Sequence, residues 1–548
     1  MSEPRSGVPR DQTSGDLTHR QVLIVLSGLM LGMLLAALDQ TIVATALPTI
    51  VGELHGLNHL SWVVTAYLLT TTLSTPLYGK ISDLYGRKKI FQIAIVIFLA
   101  GSALSGLSRN MDQLIAFRAL QGLGGGGLMA LAMAIVGDIV SPRERGRYQG
   151  YFGAVFALAS FGGPLAGGFL TDHLTWRWIF YINVPVGILA LVITSAVLRL
   201  PVPARGDHRI DYLGSALLVG AVTPLLLVTV LGGRSLPWGS PTIIGLVVLS
   251  LAMIVAVVWW ERRAPEPIFP PRAFTRPVVR AALGMTFFVT AAMFAVTIYI
   301  PVYLQLVDGV SPTRSGVLLL PLMAGMLTTS IVSGRLVTRS GRYKVFPVSG
   351  TALMTLGMWL LVHLGAHTSL LVSSGYLVVF GVGMGMTLQI AVVAVQNAVD
   401  RRDIGSATSA ISFFRNIGAA SGTAMLGAVL VSRLGFWLPR LVHGRTTLDL
   451  SQSFTITPKA LHALPPAVRA GVVESFVRSL HLVFVVGVPL AGIALVFALF
   501  LKEIPLRDSV SARGAADSAR AAPAIADSGS PDAVALEGSW GAPAARPT

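Results

Sequence analysis

Runs of about twenty apolar residues, broken by glycine, proline or clustered charge, follow one another along almost the whole chain. Fourteen can be marked, at roughly 21–47, 62–79, 90–108, 113–137, 149–170, 178–198, 212–231, 242–260, 281–306, 314–334, 345–364, 370–396, 405–430 and 480–501. A helix rising about 1.5 Å per residue crosses about 30 Å of hydrocarbon in such a run, so each is predicted as a membrane span. The expected fold class is all-α, a polytopic membrane protein with 14 transmembrane helices.

The pattern repeats. Gly79-Lys80-Ile81-Ser82-Asp83-Leu84-Tyr85-Gly86-Arg87-Lys88-Lys89 joins spans 2 and 3, and 255 residues later Gly334-Arg335-Leu336-Val337-Thr338-Arg339-Ser340-Gly341-Arg342-Tyr343-Lys344 joins spans 10 and 11. The same offset carries Gly150 to Gly405, Gly163 to Gly418 and Gly167 to Gly422. Spans 1–6 and 9–14 therefore read as duplicated six-helix bundles, with spans 7 and 8 inserted between them. Such parallel repeats belong to transporters with a midplane site between the halves. The expected organisation is a tail 1–20, a first bundle 21–198, an insert 199–280, a second bundle 281–501 that includes a long loop 431–479, and a disordered tail 502–548.

Composition sharpens this. Of 548 residues 53% are hydrophobic and 12% charged, half the charged share of about 25% in a soluble domain. The net charge of +16 is explained by topology rather than by nucleic acid. Of 41 Lys and Arg, 29 fall in the two tails and the even-to-odd connections, 10 in the opposite connections, and Arg118 and Arg415 within spans. That bias places both termini in the cytoplasm. The absence of cysteine excludes disulfides, thiolate metal sites and cysteine nucleophiles. No Walker-type phosphate loop occurs, and Gly122-Leu123-Gly124-Gly125-Gly126-Gly127 matches G-x-G-x-x-G only inside a span with no preceding strand. No cofactor, metal or enzymatic activity is expected, nor a nucleic-acid partner.

Asp39 is the one acidic side chain of 25 placed well inside a predicted span. A carboxylate at mid-helix costs about 2.5–3.5 kcal/mol, so it faces a partner or a cavity. Burial raises its proton affinity and a nearby arginine lowers it, the property a proton-coupling group needs; the alternative is a static structural contact. Asp39 precedes Pro48 by nine residues and Arg118 follows Asp112 by six, which sets both about 9–14 Å from the outer ends of antiparallel helices and makes Arg118 the expected partner. Arg415 is a second interior cation with no deep acid left for it, either lining a substrate cavity, meeting carbonyls or snorkelling to water. In residues 467–476 an amphipathic interfacial helix is conceivable beside a passive connector.

These residues resemble the major facilitator superfamily, and within it the fourteen-spanner drug:proton antiporters, the QacA/EmrB-like branch, over roughly residues 20–500. The resemblance is carried by the Gly79–Lys89 loop, by Arg118-Ala119-Leu120-Gln121-Gly122, by Gly163-Pro164-Leu165-Ala166-Gly167-Gly168 with Gly150 upstream, by Leu38-Asp39-Gln40-Thr41-Ile42-Val43-Ala44-Thr45-Ala46-Leu47-Pro48, and by Trp176-Arg177-Trp178-Ile179-Phe180-Tyr181-Ile182-Asn183-Val184-Pro185. Ala159 stands where the antiporter motif usually has glycine. The resemblance implies proton transfer through Asp39 and Arg118. It also implies a cytoplasmic latch of Asp83, Arg87 and Asp138 around the turn residues Gly79 and Gly86. Asp83 is suited to cap a helix of the other half. Gly150, Gly163, Pro164, Gly167 and Gly168 would form a bendable helix at the interface. Gln121, Asn183 and Arg415 are the candidates for lining the substrate cavity.

The function so implied is proton-coupled export of small lipophilic or amphiphilic compounds by a monomer in the inner membrane, with protons and membrane lipids as the other partners. A lipid or glycolipid exporter, a proton-coupled importer and a non-transporting receptor remain open beside it.

Overall fold

A computed structural model describes residues 19–506 apart from 55–59, 141–143, 199–210, 233–235, 266, 270, 311, 366–367, 401–402, 443–460 and 462–463. Nearly all of the two predicted tails and the middle of the expected loop 431–479 lie outside the described residues. The first half comprises α1 (His19–Leu54), α2 (Leu60–Tyr85), α3 (Arg87–Leu107), α4 (Met111–Ile139), α5 (Arg145–His173), α6 (Trp178–Tyr181) and α7 (Asn183–Val197). The insert holds α8 (Tyr212–Leu231), α9 (Pro241–Glu261) and the short α10 (Pro271–Phe274). The second half comprises α11 (Pro277–Leu306), α12 (Pro312–Leu318), α13 (Leu320–Ser340), α14 (Val345–Val362), α15 (Leu370–Gly385), α16 (Leu388–Ala398), α17 (Ile404–Val442) and α18 (Pro466–Leu499). Among the described residues the only strand-like pairing is one isolated bridge between Gly232 and Leu236.

Among the described residues, twelve helices or abutting helix pairs are long and apolar enough to cross a membrane. The other two of the fourteen expected spans fall in α2 and α5, helices of 26 and 29 residues, whose hydroxyls and glycines are explained by how they pack. On α2, Thr71 and Thr75 donate to the carbonyls of Gly122 and Gly126 on α4, at 3.1 and 3.3 Å. Hydroxyls bonded across a helix pair and glycines that let backbones touch are the adhesives of membrane bundles, where no hydrophobic effect drives association. A side chain at Gly124 would strike the backbone of Phe98 and Ala94 on α3. The glycine run of α4 is thus a packing surface between α2 and α3. α5 is glycine-rich for the same reason, lying between α1 and α13.

The halves meet chiefly through α2 against α17 and α5 against α13, with α4 against α17 and α5 against α16 beside them. The 255-residue offset maps α2 onto α13 and α5 onto α17, so the interfaces are related by the internal repeat. The insert lies against one of them: Leu218, Val222 and Leu226 of α8 form a cluster with Leu73 of α2 and Phe413 of α17. The ends of the bundle that carry the Gly79–Lys89 loop are called the basic end below.

The expected loop 431–479 is helical at both ends. α17 runs 39 residues and α18 runs 34, lengths of about 58 and 51 Å that overshoot the hydrocarbon. Leu430, Leu434, Leu438 and Val442 stack every fourth residue against Val468, Val472 and Phe476. Residues 467–476 are therefore the opening turns of α18 rather than a separate surface helix, because their apolar face is already covered by α17.

Candidate functional site

Asp39, from the middle of α1, is completely buried. Its Oδ2 lies 2.6 Å from Arg118 Nη1 on α4. Its Oδ1 accepts from Gln121 Nε2 at 2.9 Å and from Asn183 Nδ2 on α7 at 3.5 Å. Arg118 is held in turn: Nη1 donates to Gln121 Oε1 at 2.8 Å, Nε to the Val63 carbonyl at 3.3 Å, and its guanidinium stacks 4.3 Å over the Tyr67 ring. Asn183 Nδ2 also donates to Ser102 Oγ at 3.0 Å, while Asn183 Oδ1 is buried with no partner among the described residues. Four helices of one half thus converge on a single carboxylate. A buried ion pair repays its desolvation only when the remaining lone pairs are also bonded, as they are here.

Gln121 and Asn183, expected to line a cavity with Arg415, both donate to the Asp39 carboxylate and are fully buried. Sequence reasoning missed Tyr67 and Ser102. Arg118 and Gln121 sit three residues apart and so share one face of α4, the signal that would have joined them. Ser102, a hydroxyl in an apolar span, was a weaker one.

The second cluster lies at the basic end, past the expected span 62–79. Asp83 accepts from the Gly405 and Ser406 backbone N–H groups at 3.2 and 2.8 Å and from Ser406 Oγ at 2.9 Å. It therefore caps α17, from the other half, where the helix dipole favours a carboxylate. Arg87 Nη2 lies 2.9 Å from Asp83 Oδ1, and Arg87 Nε meets Asp138 at the end of α4. Gly86, at φ 95°, makes the turn that returns Arg87 over Asp83, a backbone region open to glycine at little cost. A side chain at Gly79 would strike Ser409 and the Gly405 carbonyl, and one at Gly405 would strike the Asp83 carboxylate. Burial pushes Asp83 up to about 6, with Asp138 adding to it and Arg87 and Ser406 opposing. Sequence reasoning also missed three reinforcements. Gln396 Nε2 donates to the Met133 carbonyl across the halves at 2.9 Å. Arg145 reaches back to the carbonyls of Val140 and Gly137. Arg272 grips Asp403, just ahead of α17, through two bonds of 3.0 and 2.8 Å.

α5 touches both clusters' surroundings. A side chain at Gly163 would collide with Thr41 on α1, two residues from Asp39, and Thr41 Oγ1 donates to the Ala159 carbonyl at 2.9 Å. Nearer the basic end, Gly150 and Gly153 abut Ser330 and Ile331 of α13. Gly167 is buried and its carbonyl accepts from Thr171, whereas Gly168 has nothing within 4 Å of where a side chain would be. Pro164 lies in the same helix. Arg415 stands apart, partly exposed between the halves, with Met129 Sδ of α4 at 3.6 Å.

Comparison with known proteins places this architecture. A profile described as the Major Facilitator Superfamily matches residues 29–211 and 212–423. The chain is 38% identical over 516 residues to the multidrug transporter protein MdtP of Bacillus subtilis (strain 168), spanning 90% of this chain and 95% of that one. It is 43% identical over 486 residues to an uncharacterized MFS-type transporter of Mycobacterium tuberculosis (strain ATCC 25618 / H37Rv), spanning 88% of this chain and 70% of the relative. Among solved structures, the proton:xylose symporter XylE superposes with a TM-score of 0.59 at 13% identity, over 89% of this chain and 97% of that one, which shows the shared fold. The chain belongs to the major facilitator superfamily: it is a multi-pass membrane transporter of small molecules, not an enzyme, with drug-efflux proteins among its relatives.

Proposed function

We propose that the protein exports small lipophilic or amphiphilic compounds in exchange for protons, by alternating access between its two halves, from an inner membrane with both termini in the cytoplasm. The observation that carries this reading is Asp39, a carboxylate buried in mid-span with a guanidinium as counter-charge and an idle amide oxygen, Asn183 Oδ1, beside it. Rotating the Asn183 amide turns its donor into an acceptor, so a protonated Asp39 finds a partner in place of Arg118. Protonation removes the attraction to Arg118, α1 shifts against α5 at Thr41, and α5 transmits the shift to α13. The relatedness to MdtP, which its name describes as a multidrug transporter, supports the cargo class. The basic end, taken as cytoplasmic, is shut in this conformation by Asp83 on α17. The six-helix halves 21–198 and 281–501 are the moving bodies and 199–280 the insert between them.

In proteoliposomes of the purified chain, a lipophilic dye accumulates against its gradient when protons flow the other way, and a protonophore abolishes the accumulation. One deep acid sets one proton per cycle. Dye movement that leaves the proton gradient untouched rejects the reading, and a measured ratio of two or more rejects the single-site coupling.

The gate gives a pH dependence. Closed, Asp83 titrates at about 6; exposed in an open gate, it returns to the ordinary carboxylate value of about 3.9. The closed form therefore binds more protons between those values, and its stability relative to the open form is gained as pH falls through 6. Between pH 7 and pH 5 the closed-to-open ratio rises about tenfold by this linkage. Because the chain has no cysteine, spin labels at Tyr85→Cys and Leu336→Cys, both exposed near the basic ends of α2 and α13, report the population directly. The same labels in Asp83→Asn lose the dependence.

A further inference from the structure

The ion pair at Asp39 and the gate at Asp83 leave one charged group of the bilayer interior without work. Arg415 lies eleven residues into α17, about 17 Å from the basic end and hence near the bilayer midplane. Its guanidinium reaches across the interface between the halves to Met129 Sδ at 3.6 Å. A thioether is a weak acceptor and leaves the charge uncompensated. Among the described residues no carboxylate forms an ion pair with Arg415. Asp39 is sealed inside the first half and saturated by Arg118, Gln121 and Asn183. Asp83 and Asp403 are engaged at the basic end, one on the start of α17 and the other with Arg272. The fixed charge presented to the space between the halves at this depth is therefore positive.

A second polar group lies at similar depth where α16 meets α5. The span 370–398 is interrupted at Met386–Thr387, so α16 starts afresh at Leu388 inside the bilayer. Gln389, in its first turn, lies about 14 Å from the basic end by helix length, close to the depth of Arg415. Its Oε1 is buried with no hydrogen-bond partner among the described residues, and its Cγ lies 3.8 Å from the point where a side chain on Gly153 would begin. Amide oxygen and nitrogen are interchangeable by rotation, so Gln389 can offer a donor. Phe156, one turn further along α5 than Gly153, packs against the apolar clusters of both halves. A cation on α17 and an unsatisfied amide on α16 thus lie at similar depth, each beside a contact between the halves.

We propose that Arg415 is the headgroup-recognition residue of the transport cavity, and that the cargo it selects is an amphiphile with a single anionic head, a carboxylate or phosphate, on an apolar body. This rests on the transport reading above and narrows its substrate class. A planar guanidinium binds such an oxyanion through two parallel hydrogen bonds, and in a cavity of low dielectric the same charge repels a cationic head. The chemistry is shared by free lipophilic acids and by anionic membrane lipids.

The test is equilibrium binding to the purified full chain in nanodiscs of phosphatidylcholine, without any gradient. The probes are 11-(dansylamino)undecanoate, its methyl ester and the matching trimethylammonium compound. The wild type binds the carboxylate at least about tenfold more tightly than the ammonium. Arg415→Ala loses that preference yet binds the neutral ester within about twofold of wild type, which also certifies its fold. Arg415→Lys recovers part of the preference, and Arg415→Glu reverses it. Equal affinity of the wild type for the two charged heads, or an undiminished carboxylate preference in Arg415→Ala, overturns the proposal. Competition by phosphatidic acid assigns the head to a lipid, and its failure to compete assigns it to free acids. A failure of proton coupling at Asp39 leaves these affinities unmoved, so the two readings fail separately.

Discussion

Asp39→Asn abolishes gradient-driven accumulation in proteoliposomes, lowering it at least about a hundredfold to the level of protein-free vesicles, while equilibrium affinity for a neutral substrate changes by less than about threefold. Asparagine matches the carboxylate in shape and keeps an acceptor for Arg118 Nη1 at the position where Asp39 Oδ2 now lies 2.6 Å away. It cannot carry a proton. The exchange therefore removes the titration and retains the packing, which separates coupling from binding. If Asp39 is only a structural contact, Asn keeps the bond to Arg118, the Gln121 and Asn183 amides turn to accept from its new NH2, and accumulation continues at the wild-type rate; that result sinks the coupling role.

Folding complicates the variant and is controllable. Leaving Arg118 charged and buried without its counter-ion costs about 3–5 kcal/mol, enough to unfold a marginal bundle. The double change Asp39→Asn with Arg118→Gln removes both charges. It is expected to regain most of the thermal stability lost by the single variant, measured as the melting temperature in detergent, and to regain no accumulation. A double variant that accumulates substrate would place the proton elsewhere.

How far the sequence reached follows from what hydropathy and spacing encode. They encode depth along a helix axis. Asp39 and Arg118 were expected at one level, and they touch. They encode rotation about the axis only within one helix, so Gln121 was recoverable from its three-residue spacing to Arg118, whereas Asn183 on α7 could have faced any neighbour. Arg415 was expected as an interior cation without an acid to spare, and its surroundings among the described residues contain none. Helix ends were read where polar residues begin, which cut α17 at 430. The backbone hydrogen bonding of α17 continues to Val442 because α18 covers its Leu434 and Leu438, a tertiary cause no local pattern carries. The interruption at Met386–Thr387 passed unseen within an unbroken apolar run. The cap on α17 was legible in outline, since a loop acid facing a helix start has few better positions; that its acceptors are Gly405 and Ser406 was not.

The close approach of α2 to α17 makes the second large prediction. In Gly79→Val, the new side chain meets Ser409 and the carbonyl oxygen of Gly405. The backbone atom cannot swing aside as a side-chain end does, so the helices must separate at the basic end. That separation also draws Asp83 away from the N–H groups of Gly405 and Ser406, removing the cap and freeing Arg87. Overpacking costs about 1–3 kcal/mol and loss of a helix cap about 0.5–2 kcal/mol. Both fall on the closed form alone, so the closed-to-open ratio drops by about tenfold to several-thousandfold, since each 1.4 kcal/mol is a factor of ten. Spin labels at Tyr85→Cys and Leu336→Cys lengthen their distance distribution accordingly, and accumulation falls because the cycle cannot hold its basic end shut while cargo leaves at the other. Gly245→Val on α9, where nothing lies within 4 Å, leaves both readouts at wild-type values. A Gly79→Val chain with unchanged label distances would show that α2 and α17 do not form the seal, and the gating role of Asp83 would fall with it.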